Sequence, residues 1–307
     1  MRVRFGLISA HPRRDWHSAR LIEACARRGD VEVFRPTEIG VTTGVGRTTV
    51  TARGGDARRF DAWILARALG KRGDPDFQCA AYRALGLLGL PVLNPVDALL
   101  RAEDKCETSF VLARAGLPTP PTRAVQRLSE ALAALEELGD AVAKPPYGSL
   151  GIGIVRVRAG DAGSRVRLAE LLGRHQVAYL QGWAGIEPAE DLRLFVVGSE
   201  VVAAMSRSAP RGEFRTNNHQ GGLARAMRPR AEVARIAVSA ARALGLAYAG
   251  VDLIDHGGAA GGPTVIEVNG TPSWRALFEA TGCDVADAIC SHAVELSARG
   301  RSKEAGA

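Results

Sequence analysis

Short apolar blocks alternate with stretches of helical period through the first third of the chain. Val3–Ser9, Val31–Phe34, Ala62–Ala66 and Pro91–Leu93 are apolar runs of strand length. Between them, the spacing predicts a helix from Ser18, acting as the cap, to about Arg27, and another from about Asp76 to Leu88. The Gly/Thr-rich segment Gly40–Gly55 reads as a loop or ragged hairpin. Strands alternating with helices predict a parallel, doubly wound α/β sheet, which Asn94-Pro95 closes.

The pattern then changes twice. Pro95–Leu100 and Lys105–Ala115 read as helices, the second ended by Gly116 with Pro118 beyond. Strands follow at Thr122–Val125, Ala141–Pro145 and Ile154–Val157, with helices at Ser129–Leu138, Ser129 capping, and Arg165–Gly173. From Val177 onward the strands adjoin one another. Val177–Gln181, Asp191–Val197 and Glu200–Ser206 are expected to be antiparallel, with a hairpin turn at Gly198-Ser199. Pro210–Gly222 is a polar loop, and Arg230–Leu244 an amphipathic helix. Ala249–Ile254 and Thr264–Val268 are strands joined by a Gly-rich tip, and Asp284–Leu296 is a last helix. Residues 298–307 are expected to be disordered.

Composition narrows the class without naming a chemistry. The 307 residues are 46% hydrophobic and 24% charged, as in an ordinary globular protein. Disordered acidic tails, collagen-like chains and disulfide-dense secreted modules are excluded. The net charge of +7 invites a nucleic-acid reading, but the arginines are dispersed, aromatics are 5%, and no RNA-binding signature is present. No nucleic-acid partner is expected. No apolar run approaches the roughly eighteen residues of a membrane span, and the opening MRVRFGLISA reads as a strand, not a signal peptide. Five scattered cysteines without a C-x-x-C point to reduced thiols and the cytoplasm.

Four features carry candidate chemistry. Gly148-Ser149-Leu-Gly151-Ile-Gly153 lies between two strands, where glycines let backbone N–H groups converge on an anion and Ser149 adds a hydroxyl. The segment also reads as a plain hairpin turn. It lacks the Lys-Ser/Thr of a Walker A loop and leads into a strand, unlike a dinucleotide fingerprint. Lys144, at a strand end, and Lys105, at a helix start, can each place a point charge on phosphate, or stand as solvated lysines. Glu267 and Asn269 share one strand face, and Asp252 joins them if the two strands pair. Such an all-oxygen set suits Mg²⁺, though a solvated sheet face gives the same pattern. Finally, the loop Gly212-Glu-Phe-Arg215-Thr216-Asn217 offers donors for transferring phosphoryl charge, or is simply polar.

In this order the four features resemble the ATP-grasp superfamily, specifically its RimK-like carboxylate–amine ligases. The resemblance runs over about residues 94–296. It also draws on Asn94-Pro95, Asp104-Lys105, Lys144-Pro145, Tyr179-Leu-Gln181, Asp191-Leu-Arg193, Gly250-Val-Asp252 and Glu267-Val-Asn269 before Pro272. It implies an α/β domain over 1–93 ahead of the ATP-grasp module, a small lobe with a Gly-rich lid over 94–182, and a metal-bearing C-terminal lobe over 183–297. Lys105 and Lys144 would contact ATP phosphates, under a lid formed by Gly148, Ser149, Gly151 and Gly153. The backbone of Gln181, Gly182, Trp183 and Ala184 would read adenine, and Asp191 would hold the ribose. Many relatives carry an acidic residue where Gly182 stands, so only backbone contacts carry over there. Arg215, Thr216 and Asn217 would reach the phosphates, with Arg215 and Asn217 at the acyl centre. Asp252, Glu267 and Asn269 would hold two Mg²⁺ ions, with Mn²⁺ as a substitute.

The chemistry implied is amide formation through an acyl phosphate, which needs no side-chain nucleophile. The partners are a small-molecule carboxylate acceptor and an amino acid, expected to be glutamate, with the enzyme a homo-oligomer. Two branches look closest: glutamate ligases of tetrahydromethanopterin-type C1 carriers, and ligases of amino-group-modified lysine biosynthesis. Glutamylation of a protein C-terminus is the alternative within the same chemistry. A non-catalytic ATP-binding protein would have lost a metal ligand or phosphate lysine, and none is missing. Pro272-Ser273-Trp274-Arg275 departs from the usual Pro-Gly, so Arg193, Trp274 and Arg275 are candidate acceptor contacts, with Trp274 equally suited to the core. Only four of the 40 basic residues are lysines, and two of those four are Lys105 and Lys144. A lysine kept in an arginine-rich chain favours a point contact on phosphate.

Overall fold

The computed structural model describes residues 2–69, 72–148, 152–186, 189–210, 213, 216, 223–258 and 261–304. The first unit comprises β1 (Val3–Ile8), α1 (Trp16–Arg28), β2 (Gly29–Phe34), β3 (Ile39–Gly44), β4 (Arg47–Ala52), β5 (Gly55–Asp56), β6 (Ala62–Leu65), α2 (Pro75–Leu87) and β7 (Val92–Leu93). The parallel sheet has the order β2-β1-β6-β7. Alternation sorts its side chains between two cores: Ala62 and Ile64 face one, Trp63 and Leu65 the other. Gly6 is required by this packing, because a Cβ there would lie 2.6 Å from the Trp63 ring.

The unit departs from expectation at two places. Gly40–Gly55, expected as a loop or ragged hairpin, is a regular β3–β4 hairpin that β5 extends into a three-stranded antiparallel sheet. Its Thr-rich strands are β-branched, and Ile39, Val50 and Ala52 supply the buried side. The cap of α1 is Asp15, not Ser18. The Asp15 carboxylate accepts the Ser18 N–H at 2.8 Å, while the Ser18 hydroxyl is buried against Ser9.

The middle unit holds α3 (Val96–Glu103), α4 (Lys105–Arg114), β8 (Thr122–Val125), α5 (Leu128–Leu138), β9 (Asp140–Lys144), β10 (Val155–Arg158), α6 (Ala162–His175) and β11 (Ala178–Gly182). Its sheet, β10-β9-β11-β8, is antiparallel, and with α5 and α6 it closes a core of its own. Ser129 does not cap α5; Arg127 holds that position, without a side-chain hydrogen bond.

The last unit is β12 (Glu190–Val197), β13 (Glu200–Ser208), β14 (Leu223–Ala226), α7 (Ala231–Ala243), β15 (Tyr248–Gly258), β16 (Gly261–Asn269), α8 (Arg275–Thr281) and α9 (Val285–Glu304). The five strands pair as β14-β13-β12-β15-β16, with the expected turn at Gly198-Ser199. Helix α9 runs to Glu304, well into the tail expected to be disordered. Its sequence Ala-Arg-Gly-Arg-Ser-Lys-Glu holds enough helix formers to carry on the helix that Val285–Ala293 anchor in the core.

Asn94 ties the first unit to the last. Its Oδ1 accepts the N–H groups of Ala247 and Tyr248 at 2.7 and 3.0 Å, and its Nδ2 donates to the carbonyls of Tyr248 and Gly270, each at 2.8 Å. Asn94 itself is fully buried. Asn94→Ala should therefore strand several backbone groups and cost about 3 kcal/mol. A urea midpoint within experimental error of the parent's would sink that account.

Candidate active site

Two cavities meet between the middle and last units. The first is lined by Val142, Ile154, Ile254 and Ile266 around a polar end of Lys144, Asp191, Arg207, Asp252 and Glu267. That mixture suits a nucleotide, with an apolar slot for a flat base and charge for its phosphates. The second is lined by Arg67, Lys105, Tyr147, Arg193, Asn269 and Ser273, among others. Arg207 and Glu267 line both.

Lys144 ends β9 and is buried. Its Nζ donates to Gln181 Oε1 at 2.7 Å, and Gln181 Nε2 donates to the Tyr179 hydroxyl, itself 2.7 Å from Ser109 Oγ. Antiparallel pairing of β9 with β11 brings this chain together. Burial pushes the Lys144 ammonium down to about 8, against the pull of Glu267 and Asp252. Lys105 stands apart, on the second cavity, donating to the Gly148 carbonyl at 2.7 Å. The two lysines expected on one phosphate chain thus line different cavities.

In the hinge, Gly182 and Trp183 spend their N–H groups on the carbonyls of Pro121 and Asp140, at 2.8 and 2.9 Å. The Ala184 N–H has no partner among the described residues, and Ala184 lines the first cavity. The N–H groups of Gly182 and Trp183, expected to read a base, are thus already engaged. Arg156 covers the Trp183 ring at 3.9 Å.

The polar end is a chain of buried charges. Asp191 and Arg207 face each other across β12 and β13, and Asp252 and Arg193 across β12 and β15. Arg207 grips Asp191 through Nε and Nη2, at 2.7 and 2.6 Å, and reaches Asp252 at 3.1 Å. Arg193 binds Asp252 in the same two-pronged way, and Thr216 donates its hydroxyl to Asp191. Burial pushes Asp191 up despite Arg207. Burial would raise Asp252 too, but two guanidiniums outweigh it and hold it below the usual range. Asp191, expected on a ribose, is committed to Arg207 and Thr216.

Glu267 differs from both aspartates. It sits opposite Asp252 in the β15–β16 ladder, lines both cavities, and has no hydrogen bond or ion pair among the described residues. Asn269, two residues on, donates Nδ2 to the Gly250 carbonyl at 3.4 Å, which leaves its oxygen available. This oxygen donor pair fits a hard divalent cation. Asp252, the third expected ligand, is adjacent but held by Arg193 and Arg207.

Trp274 and Arg275, expected as acceptor contacts, do not line the second cavity. Trp274 is buried among Trp16, His17 and Phe195, and Arg275 pairs with Glu279 on the exposed side of α8. Arg193 does line it. Ser149, Gly151, Arg215 and Asn217 lie outside the described residues, while Gly148 and Gly153 adopt positive φ of 135° and 75° at the two ends of the Gly-rich segment. Sequence reasoning missed Arg67, Arg207 and Ser273. Ser273 Oγ meets His17 Nε2 at 3.0 Å, and His17 Nδ1 lies 3.2 Å from Asp15, so the first unit braces this cavity wall.

Known proteins resemble this chain over most of its length. The RimK-like ATP-grasp domain family matches residues 102–292. A protein of Shewanella amazonensis named probable alpha-L-glutamate ligase 1 is 33% identical over 99% of both chains. A probable alpha-L-glutamate ligase of Stenotrophomonas maltophilia is 38% identical over 71% of this chain and 74% of its own. Among solved structures, the ATP-grasp ligase PsnB in complex with a minimal precursor superposes with a TM-score of 0.74 at 21% identity, covering 96% of this chain and all of its own.

Proposed function

The chain belongs to the RimK-like ATP-grasp family and is an ATP-grasp ligase, and from that premise we propose that it joins the amino group of L-glutamate to the carboxyl terminus of a peptide or protein. The observation that carries this reading is the meeting of two cavities at Arg207 and Glu267. A base and triphosphate in the first cavity bring the γ-phosphate to that junction. A carboxylate in the second arrives there among Arg67, Lys105 and Arg193.

The acceptor carboxylate attacks the γ-phosphorus and ADP leaves; the glutamate amine then attacks the acyl carbon, loses a proton, and phosphate departs. Lys144, Arg207 and Lys105 supply fixed positive charge where charge shifts between oxygens. Walls of Val142, Ile154 and Ile266 exclude water that would hydrolyse the acyl phosphate. Glu267 and Asn269, with Asp252 beside them, would hold Mg²⁺, which neutralises phosphate charge when bound. Mn²⁺ suits the same donors. A PsnB structure carries Mg and ADP, in keeping with this assignment. The names of the relatives favour glutamate and give tetrahydromethanopterin-type carriers no support, so the protein C-terminus takes first place. Dependence on ATP puts the reaction in the cytoplasm.

The test incubates the purified chain with ATP, Mg²⁺, L-glutamate and a peptide ending in glutamate. ADP release should require both co-substrates, and the peptide should gain the mass of one or more glutamate residues. ADP release that ignores glutamate, or a peptide of unchanged mass, overturns the reading. Glu267→Gln should lower Mg²⁺-dependent ADP formation by about 10²-fold or more. Unchanged turnover in that variant would place the metal elsewhere.

A further inference from the structure

A third cavity lies away from the active site, at the carboxyl ends of the parallel strands β1 and β2. In open α/β sheets this is the edge where ligands bind. Arg13, Arg14, Arg35, Arg53 and Arg72 line it, with Glu38 as the one acidic lining residue. Arg53 stacks on Phe34 and spends its charge on Glu38 and Glu32. Arg13, Arg14 and Arg72 are exposed and have no carboxylate partner among the described residues. The cavity thus holds a surplus of guanidinium charge turned toward one hollow.

Two loops link this hollow to the acceptor cavity. The segment after β6 carries Arg67, on the acceptor cavity, and Arg72, on the arginine cavity. The loop after β1 carries Arg13 and Arg14, followed by Asp15, which pairs with Arg67 at 3.4 Å. Arg67 holds a positive φ of 52°, unusual for a residue other than glycine, which suits a side chain kept in place for use. Arg67 and Arg72 are five residues apart, so their backbones lie within about 17 Å of one another. An extended peptide covers that distance in about five residues.

We propose that this arginine cavity binds the acidic stretch of the acceptor peptide upstream of its reacting carboxylate, and so sets acceptor specificity. The proposal rests on the peptide-acceptor reading above. A peptide whose terminal carboxylate reaches Arg207 and Glu267 leaves past Arg67 and meets Arg72, Arg13 and Arg14 about five residues upstream. Carboxylates spaced along that stretch satisfy guanidiniums that have no acid of their own.

The experiment separates binding from turnover. Fluorescence anisotropy of labelled hexaglutamate and hexaglutamine peptides is read on the full chain without ATP, for the parent and for Arg13→Ala/Arg14→Ala/Arg72→Ala. Hexaglutamate should bind the parent and bind the variant about tenfold more weakly, while hexaglutamine binds neither and the affinity for ADP is unchanged. Arg72→Gln alone, a milder change, should weaken hexaglutamate in the same direction. In turnover, KM for an acceptor with a glutamate-rich tail should rise about tenfold in the triple variant with kcat kept, and KM for the matching glutamine-rich acceptor should not move. Equal binding of the two peptides by the parent overturns the proposal. So does an unaffected variant, or a site that binds tripolyphosphate or a short RNA but not hexaglutamate. Hexaglutamate binding that responds to these substitutions in a chain without ligase turnover would fail the peptide-ligase reading and leave the acidic-peptide site standing.

Discussion

Lys144→Met is expected to abolish ATP-dependent ADP formation, by about 10²–10³-fold, while making the protein more stable. Both outcomes come from one fact. The ammonium is buried at the polar end of the nucleotide cavity, where burial lowers it from 10.5 to about 8. A shift of that size means the empty fold disfavours the charged form by about 3 kcal/mol. On the proposed function a triphosphate uses that charge, and a site kept costly for function gains stability when the function is removed.

The sign with pH follows. The unfolded lysine titrates near its ordinary value and the folded one near 8, so the unfolded chain binds more protons between the two. The parent's stability should therefore rise, relative to Lys144→Met, from pH 8 toward 10.5, and the two curves should run parallel below 8. Affinity for ADP should fall as pH passes 8, since the free protein loses the ammonium there. Urea titrations across pH 6 to 10, with ADP binding at each pH, test both. A variant less stable than its parent at pH 7, or ADP affinity flat through pH 9, would count against a lysine desolvated for phosphate.

The parallel sheet was legible because it is covered on both faces, so β6 reads as an unbroken apolar run and β1 as one from Phe5 onward. The β3–β5 sheet was not, because its threonines and glycines lack an apolar alternation. At the site, Glu267 and Asn269 were found from period two alone, and the hairpin placed Asp252 opposite Glu267. Arg207 escaped for a definite reason. Counting back from the turn at Gly198-Ser199 puts Asp191 opposite Ser206. A bulge between Phe195 and Val196 shifts the register by one residue, and Arg207 takes that place. Nothing in the local sequence announces the bulge. Trp274 and Arg275 went the other way: their chemistry suggested a pocket, but His17 and Trp16 of the first unit fill the space around Trp274. That neighbour is distant in sequence and invisible to spacing.

Arg207 is also where the largest loss of stability should fall. It is buried between Asp191 and Asp252, and both carboxylates raise its own affinity for a proton. Arg207→Met keeps the volume and removes the charge. Asp252 retains Arg193, but among the described residues Asp191 keeps only the Thr216 hydroxyl. Removing one partner of a buried ion pair costs about 3–5 kcal/mol, because the survivor stays desolvated. Asp191 is already raised by burial and would rise further in the variant. Its folded state then binds more protons than the unfolded one above the ordinary carboxylate range. The variant's deficit should accordingly shrink as pH falls from 7 toward 4. Asp191→Asn/Arg207→Met should recover much of the loss, since the uncompensated charge is gone, and urea midpoints of the four proteins form the cycle that measures the coupling. Equal losses in the single and double variants would make the defect one of packing, not charge. Activity should not return with stability: the double variant folds, yet the wall shared by the two cavities has lost the guanidinium that lines both.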